Sequence, residues 1–92
     1  MKTQEQKNKA IKKLKAHKKN IPEFSMFGDP NHEAIDAQIL VIEEGKDEND
    51  IIELWGEEYD EDDTPNHVTQ YALEALSWLE GDIELSDLVD ED

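Results

Sequence analysis

The chain has 92 residues, a formal net charge of −16 at neutral pH and no cysteine. This length suits one small domain with a modest core, and the lack of cysteine excludes disulfide bonds and thiolate metal sites. No apolar segment is long enough to cross a bilayer, and no signal-peptide core follows the lysine-rich start. We therefore expect a cytoplasmic protein that does not bind membranes.

The charges are divided along the chain. Residues 1–19 contain eight lysines and one acid, a net charge of +7, whereas residues 20–92 contain 24 acids and one lysine, a net charge of −23. Repulsion among so many carboxylates opposes folding, so selection for stability does not explain them, whereas a positively charged partner does. We predict two units: a basic amphipathic helix over residues 1–20 and an acidic helical domain over residues 21–92.

The first predicted element is the basic helix. Residues 4–19 lack proline and glycine and place Ala10, Ile11 and Leu14 on one side at helical spacing. The helix should end at Asn20-Ile21-Pro22, because the residue before a proline avoids the helical conformation. Its apolar stripe is narrow, so we expect a weakly amphipathic helix.

A second helix is predicted from Asp29-Pro30, an N-cap acceptor followed by proline at the first helical position, to the stop at Glu43-Glu44-Gly45. Its buried stripe is marked by Ile35, Gln38, Ile39 and Ile42. Before it, three apolar residues lie close together, and we expect them in the core: Phe24, Met26 and Phe27.

The middle of the chain is dominated by acids. Residues 46–50 form a charged turn, and residues 50–56 predict a short helix, with a strand as the alternative. Residues 57–63 contain six acids in seven positions, which favours an exposed loop.

The last long helix restarts at Thr64-Pro65 and stops at Gly81. Trp78 flanks its stripe, and Leu85, Leu88 and Val89 allow one more short helix. We therefore predict an all-α protein, a small bundle of three to four helices with an acidic surface and a basic N-terminal helix. The stripe of the last long helix follows a 3.6-residue period through Val68, Tyr71, Ala72, Ala75, Leu76 and Leu79.

A Pro-Asn-His tripeptide occurs twice, at residues 30–32 and 65–67, each time at the predicted start of a helix. The repeat is consistent with a duplicated helical unit. The repeat is also consistent with chance, because only a few residue types are common at the start of a helix.

Catalytic and metal-binding patterns are missing from the sequence. No serine lies in a nucleophile motif, and His32 with Asp36 supplies at most two metal ligands. A calcium-loop alignment starting at Asp60 places Pro65 where glycine is required and Tyr71 where the bidentate glutamate belongs. We expect no enzymatic activity, no cofactor and no metal site.

The acids in the middle of the chain predict a partner-binding surface. Duplex DNA carries one negative charge per about 1.7 Å of axis. Carboxylates three or four residues apart on a helix lie about 5–6 Å from each other, so an acidic surface can imitate a row of phosphates. Trp55 and Tyr59 are expected to act as anchors inside this surface. The predicted surface comprises Asp47, Glu48, Asp50, Glu53, Trp55, Glu57, Glu58, Tyr59, Asp60, Glu61, Asp62 and Asp63.

In size and charge the chain resembles the small acidic DNA-mimic proteins that bacteriophages use to occupy host nucleic-acid-binding proteins. It also resembles small uncharacterised phage and bacterial helical proteins. The second likeness rests on a turn at residues 27–31, a helix at residues 34–39 and a closing helix at residues 72–81. The first resemblance implies inhibition by competition with DNA, and the second implies no activity.

We therefore expect a DNA-mimic inhibitor acting in the host cytoplasm if phage-encoded, on an HU-type nucleoid protein or a restriction, CRISPR or transcription protein. We expect no direct nucleic acid binding by the acidic body. The alternative is a small accessory or assembly protein whose basic helix binds nucleic acid or a subunit. That helix either folds back onto the body as a counter-charge, binds nucleic acid, or reaches a second partner.

Overall fold

The computed structural model describes residues 2–24, 26, 28, 30–56 and 67–89. Within these ranges the chain forms five α-helices and no strand. An isolated antiparallel bridge joins Phe24 to Pro30 between the first two helices. The predicted all-α class is confirmed. The helices are α1 (Gln4–Asn20), α2 (Asn31–Glu44), α3 (Glu48–Trp55), α4 (His67–Glu80) and α5 (Leu85–Leu88).

Helix α1 is the predicted basic helix, and a capping box starts it. The Oγ1 atom of Thr3 accepts a hydrogen bond from the Gln6 N–H at 3.1 Å, and the Gln6 Oε1 atom accepts one from the Thr3 N–H at 2.8 Å. Ala10, Ile11 and Leu14 are buried, as their spacing predicts. These three residues join one hydrophobic core with residues from α2 to α5, so residues on both sides of position 20 contribute to the same core.

Helix α2 begins one residue later than predicted. Pro30 is its N-cap residue and not its first helical residue, although the Pro30 carbonyl already accepts from the Ala34 N–H at 3.0 Å. Asp29, the predicted cap, lies outside the described residues. Gly45 ends α2 in the left-handed region, at φ +66°, and its N–H donates to the Val41 carbonyl. The predicted stripe of Ile35, Gln38, Ile39 and Ile42 is buried.

Residues 50–56 fold mainly as a helix and not as a strand. Asp47 caps α3, and Ile51 is its buried residue. The predicted acidic loop at residues 57–63 and the Thr64-Pro65 helix start lie outside the described residues.

Helix α4 carries the predicted stripe. Val68, Ala72 and Ala75 are buried, and Tyr71, Leu76 and Leu79 are partly buried and pack against the core. Two further residues of α4 lie inside. Trp78 is buried where a flanking position was predicted, and Thr69 is buried with its hydroxyl donating to the Trp55 carbonyl at 2.8 Å.

Phe24 and Met26 are not part of the core, which corrects the sequence prediction. Phe24 is 54% exposed and Met26 is 92% exposed. Phe24, whose backbone bridges to Pro30, and Met26 both lie in the segment between α1 and α2, so neither belongs to a helix that packs on the core. Phe27 lies outside the described residues.

The contacts define the helix directions. Lys18 pairs with Asp36, while Ile11 and Lys12 lie in one groove with Glu43, so α1 runs antiparallel to α2. Asn31 contacts His67, and Ile35 shares a cavity with Tyr71, so α2 and α4 run side by side in the same direction. The histidines of the two Pro-Asn-His tripeptides, His32 and His67, therefore lie in the first turns of neighbouring helices.

Candidate partner-binding surfaces

Two acids, Asp47 and Asp50, form hydrogen bonds at the start of α3. Asp47 and Asp50 form a capping box, in which the Asp47 Oδ1 atom accepts from the Asp50 N–H at 2.9 Å and the Asp50 Oδ2 atom accepts from the Asp47 N–H at 3.4 Å. Negative charge is favourable at this end of a helix because of the helix dipole. Glu48 and Glu53 are exposed, and neither pairs with a described lysine. The capping box therefore fixes the backbone of Asp47 and Asp50, two residues of the predicted acidic surface.

The predicted anchor Trp55 is turned partly inward. It is half-buried, packs against the core, and its carbonyl accepts the Thr69 hydroxyl. Two other apolar residues of α3 face outward instead: Leu54 is 51% exposed and Ile52 is 38% exposed. A short helix can turn only residues about four apart, here Ile51 and Trp55, toward the same core. Ile52 and Leu54 are two residues apart, so they lie on opposite flanks of this buried pair and not on one face of the helix.

The exposed side chains of Glu48, Ile52, Glu53 and Leu54 are called the α3 surface below. Its two aliphatic side chains lie on opposite flanks of α3, Ile52 one turn from Glu48 and Leu54 next to Glu53 in sequence. The other predicted site residues lie outside the described part of the chain: Glu57, Glu58, Tyr59, Asp60, Glu61, Asp62 and Asp63.

A second charged feature lies between α1 and α2. Two adjoining open cavities of about 510 and 680 Å³ share Lys15, Lys19 and Glu43 in their walls, so we treat them as one groove. Its floor includes the largely buried Ile11 and Ile39. This lysine groove is lined further by Lys12, Lys18, His32 and Asp36.

Helix α1 packs on the acidic body mainly through apolar side chains. Between described residues, the ion pair that joins them is Lys18 Nζ to Asp36 Oδ1 at 2.8 Å. Lys12, Lys15 and Lys19 are exposed and form no ion pair with a described residue. The +7 charge of the N-terminal segment is therefore only partly neutralised by contacts within the described chain.

A small polar cavity of about 190 Å³ lies among α1, α2, α4 and α5, with His17, Glu74 and Asp87 in its walls. Burial raises the pKa of the Glu74 carboxyl, and the nearby charge of His67 partly opposes that rise. The ring of His67 lies 4.4 Å from the ring of Tyr71, centre to centre.

The two candidate metal ligands have other partners. The His32 Nε2 atom lies 2.9 Å from the Ile21 carbonyl oxygen, and Asp36 accepts from Lys18. Within the described ranges, no three histidine or acidic side chains are grouped closely enough to hold a metal ion.

No protein family matches the chain, and no curated protein or solved structure shows significant similarity to it. Among the described helices, none has the length and apolarity needed to cross a membrane.

Proposed function

We propose that this protein is a DNA-mimic inhibitor that binds the DNA-contacting surface of a basic protein and competes with DNA, without catalysing a reaction. Targets of suitable chemistry are HU-type nucleoid proteins, followed by restriction, CRISPR or transcription proteins. The observation that carries the proposal is the α3 surface, where carboxylates that pair with no described lysine lie near exposed apolar side chains, Glu48 one turn from Ile52 and Glu53 next to Leu54.

Electrostatics supports fast encounter with such a target. Residues 20–92 carry a net charge of −23, and a cationic DNA-binding groove attracts a surface of that sign from a distance. Attraction of this kind is screened over about 8 Å at physiological salt. Carboxylates such as Glu48 and Glu53 would therefore act mainly on the association rate.

The apolar part of the α3 surface supports retention after encounter. Central, desolvated apolar residues dominate binding energy in protein interfaces, whereas rim charges contribute less. Leu54 is the most exposed apolar side chain of the helix and lies next to Glu53. We assign it the anchoring role that the sequence suggested for Trp55. The target should therefore offer an apolar pocket between its cationic side chains.

The test is a competition measured by fluorescence anisotropy, with labelled duplex DNA bound to a purified HU-type protein at two salt concentrations. The parent chain should displace DNA at low salt and displace less at high salt. Its affinity should fall less steeply with salt than that of DNA, because a folded protein releases few condensed counterions. A parent chain that displaces no DNA from any basic target tested would contradict the proposal.

Matched variants separate the contribution of the carboxylates to binding from that of the anchoring side chain Leu54. Glu48→Gln/Glu53→Gln should slow association, and Glu80→Gln/Asp82→Asn, with the same charge change on exposed residues of the chain after α3, should slow it less. Leu54→Ser should weaken binding by about tenfold, chiefly through faster dissociation, while Met26→Ser should not. Equal effects of Leu54→Ser and Met26→Ser would remove Leu54 from the interface.

A further inference from the structure

We propose that the lysine groove is a second binding face, which takes single-stranded nucleic acid. Lys12, Lys15 and Lys19 would contact phosphates, and Phe24 would stack on a base at one end. This proposal goes beyond competition with DNA at the α3 surface and does not depend on it.

The lysines are placed to follow a polyanion. Lys12, Lys15 and Lys19 are exposed on the wall of the groove, and they span about 10 Å of α1 at 1.5 Å per residue. None of the three forms an ion pair with a described carboxylate. Their charges are therefore available to phosphates, which is the main source of affinity for nucleic acid.

Two carboxylates in the groove oppose this attraction and must be weighed against it. Asp36 is already paired with Lys18 at 2.8 Å, so those two charges largely cancel. Among the described residues that line the groove, Glu43 is then the remaining carboxylate beside Lys12, Lys15 and Lys19. Described acids that do not line the groove act on it through solvent, where salt screens charge beyond about 8 Å. The described side chains that line the groove therefore carry a net positive charge, although the whole chain is acidic.

The exposed aromatic residue lies at the His32 end of the groove. Phe24 bridges to Pro30, two residues before His32, and the Glu23 carbonyl accepts from the His32 N–H at 3.3 Å. The His32 ring also contacts the Ile21 carbonyl at 2.9 Å. These bonds tie the segment before Phe24 to the first turn of α2. Phe24 is thus an exposed aromatic residue whose backbone lies next to the first turn of α2, and His32 of that turn lines the groove.

This combination favours a single strand over a duplex. A positively charged groove with an aromatic platform is the arrangement by which proteins bind single-stranded nucleic acid, because unstacked bases stack on the ring. In a duplex the bases are already stacked, so Phe24 would gain nothing. An acidic peptide would use the lysines but would gain no base stacking.

The test measures the anisotropy of a labelled oligothymidylate of about 20 nucleotides with the full chain over a range of salt. We expect binding that is tighter than for a duplex of equal length. In Lys12→Gln/Lys15→Gln/Lys19→Gln, binding should weaken at least tenfold. Its slope of log affinity against log salt should become shallower by about 2, at about 0.7 per lost phosphate contact. Phe24→Ala should weaken single-strand binding about fivefold or more and leave duplex binding unchanged.

The control is Lys2→Gln/Lys7→Gln/Lys9→Gln, which removes the same charge from α1 and the residues before it but outside the groove. It should cost much less affinity than the groove variant. Equal losses in the two triple variants, tighter binding of the duplex, or no binding of the oligonucleotide by the parent would each overturn the proposal. Binding of an acidic peptide with equal affinity, insensitive to Phe24→Ala, would also overturn it. Circular dichroism checks that every variant keeps its helices.

Discussion

The Nε2 atom of His67 lies 3.2 Å from the Oδ1 atom of Asn31, which joins the first turn of α4 to the first turn of α2. The same Asn31 side chain donates from Nδ2 to the Pro22 carbonyl at 3.4 Å. One amide therefore links α4, α2 and the loop that follows α1. The second histidine of the repeated tripeptide thus contacts the first asparagine.

This link gives a prediction about stability. Asn31→Ala removes both hydrogen bonds and should lower the free energy of unfolding by about 1–2 kcal/mol, measured by urea denaturation. Asn31→Asp keeps the acceptor for His67 and should cost less. If the two variants were equally unstable, the His67 contact would contribute nothing measurable.

Gln38 gives a prediction of increased stability. It is fully buried, and neither its Nε2 nor its Oε1 atom has a hydrogen-bond partner among the described residues. A buried polar group without a partner costs about 1–3 kcal/mol, so Gln38→Leu or Gln38→Met should raise the free energy of unfolding. Gln38→Glu should lower it, because it buries a charge. Destabilisation by both apolar variants, read from melting temperatures, would mean that Gln38 has a partner in solution.

Leu14 tests whether α1 is part of the fold or a separable arm. Its side chain is fully buried in the shared core, so Leu14→Ala should cost about 2–5 kcal/mol. That is a large share of the stability of a small domain. The neighbouring Lys15→Ala changes an exposed residue and should shift the urea midpoint little. A Leu14→Ala protein as stable as the parent would show that α1 packs loosely on the body.

Glu74 predicts a pH dependence. Because burial raises the pKa of its carboxyl, the folded state holds this proton more tightly than the unfolded state does, and this group's contribution to stability falls as pH rises through its titration range. Glu74→Gln should therefore melt higher than the parent at pH 7, and the difference should shrink toward acidic pH. The Glu74 side chain is itself only partly buried, so Glu80→Gln, at a second exposed position on the same helix, controls for the loss of one charge. A Glu74→Gln advantage that matches the control at every pH would contradict the assignment.

Much of the helical structure was predictable because its causes are local. Gly45 and Gly81 end α2 and α4 at positive φ, a conformation that glycine adopts without strain. The 3.6-residue spacing of Ile35, Gln38, Ile39 and Ile42 predicted which side of α2 is buried. Such patterns act within a few residues, so the sequence contains them directly.

The candidate surfaces were less predictable. The acids of α3 were found by composition, but their apolar neighbours Ile52 and Leu54 were not, since which side of a short helix faces outward depends on what packs against it. Phe24 and Met26 were assigned to the core because apolar side chains usually are buried. Both residues lie in the segment between α1 and α2, outside the packed helices, and their side chains are exposed.

By itself, the sequence determined the helical class, most of the helix ends and the division of charge between residues 1–19 and 20–92. Those properties follow from backbone preferences and side-chain type at each position. Only the tertiary structure decided that α2 and α4 lie side by side, that Lys12, Lys15 and Lys19 border a groove, and that Leu54 faces outward. These depend on packing between residues far apart in the chain, where many pairings satisfy the same hydrophobic pattern and shape complementarity selects one.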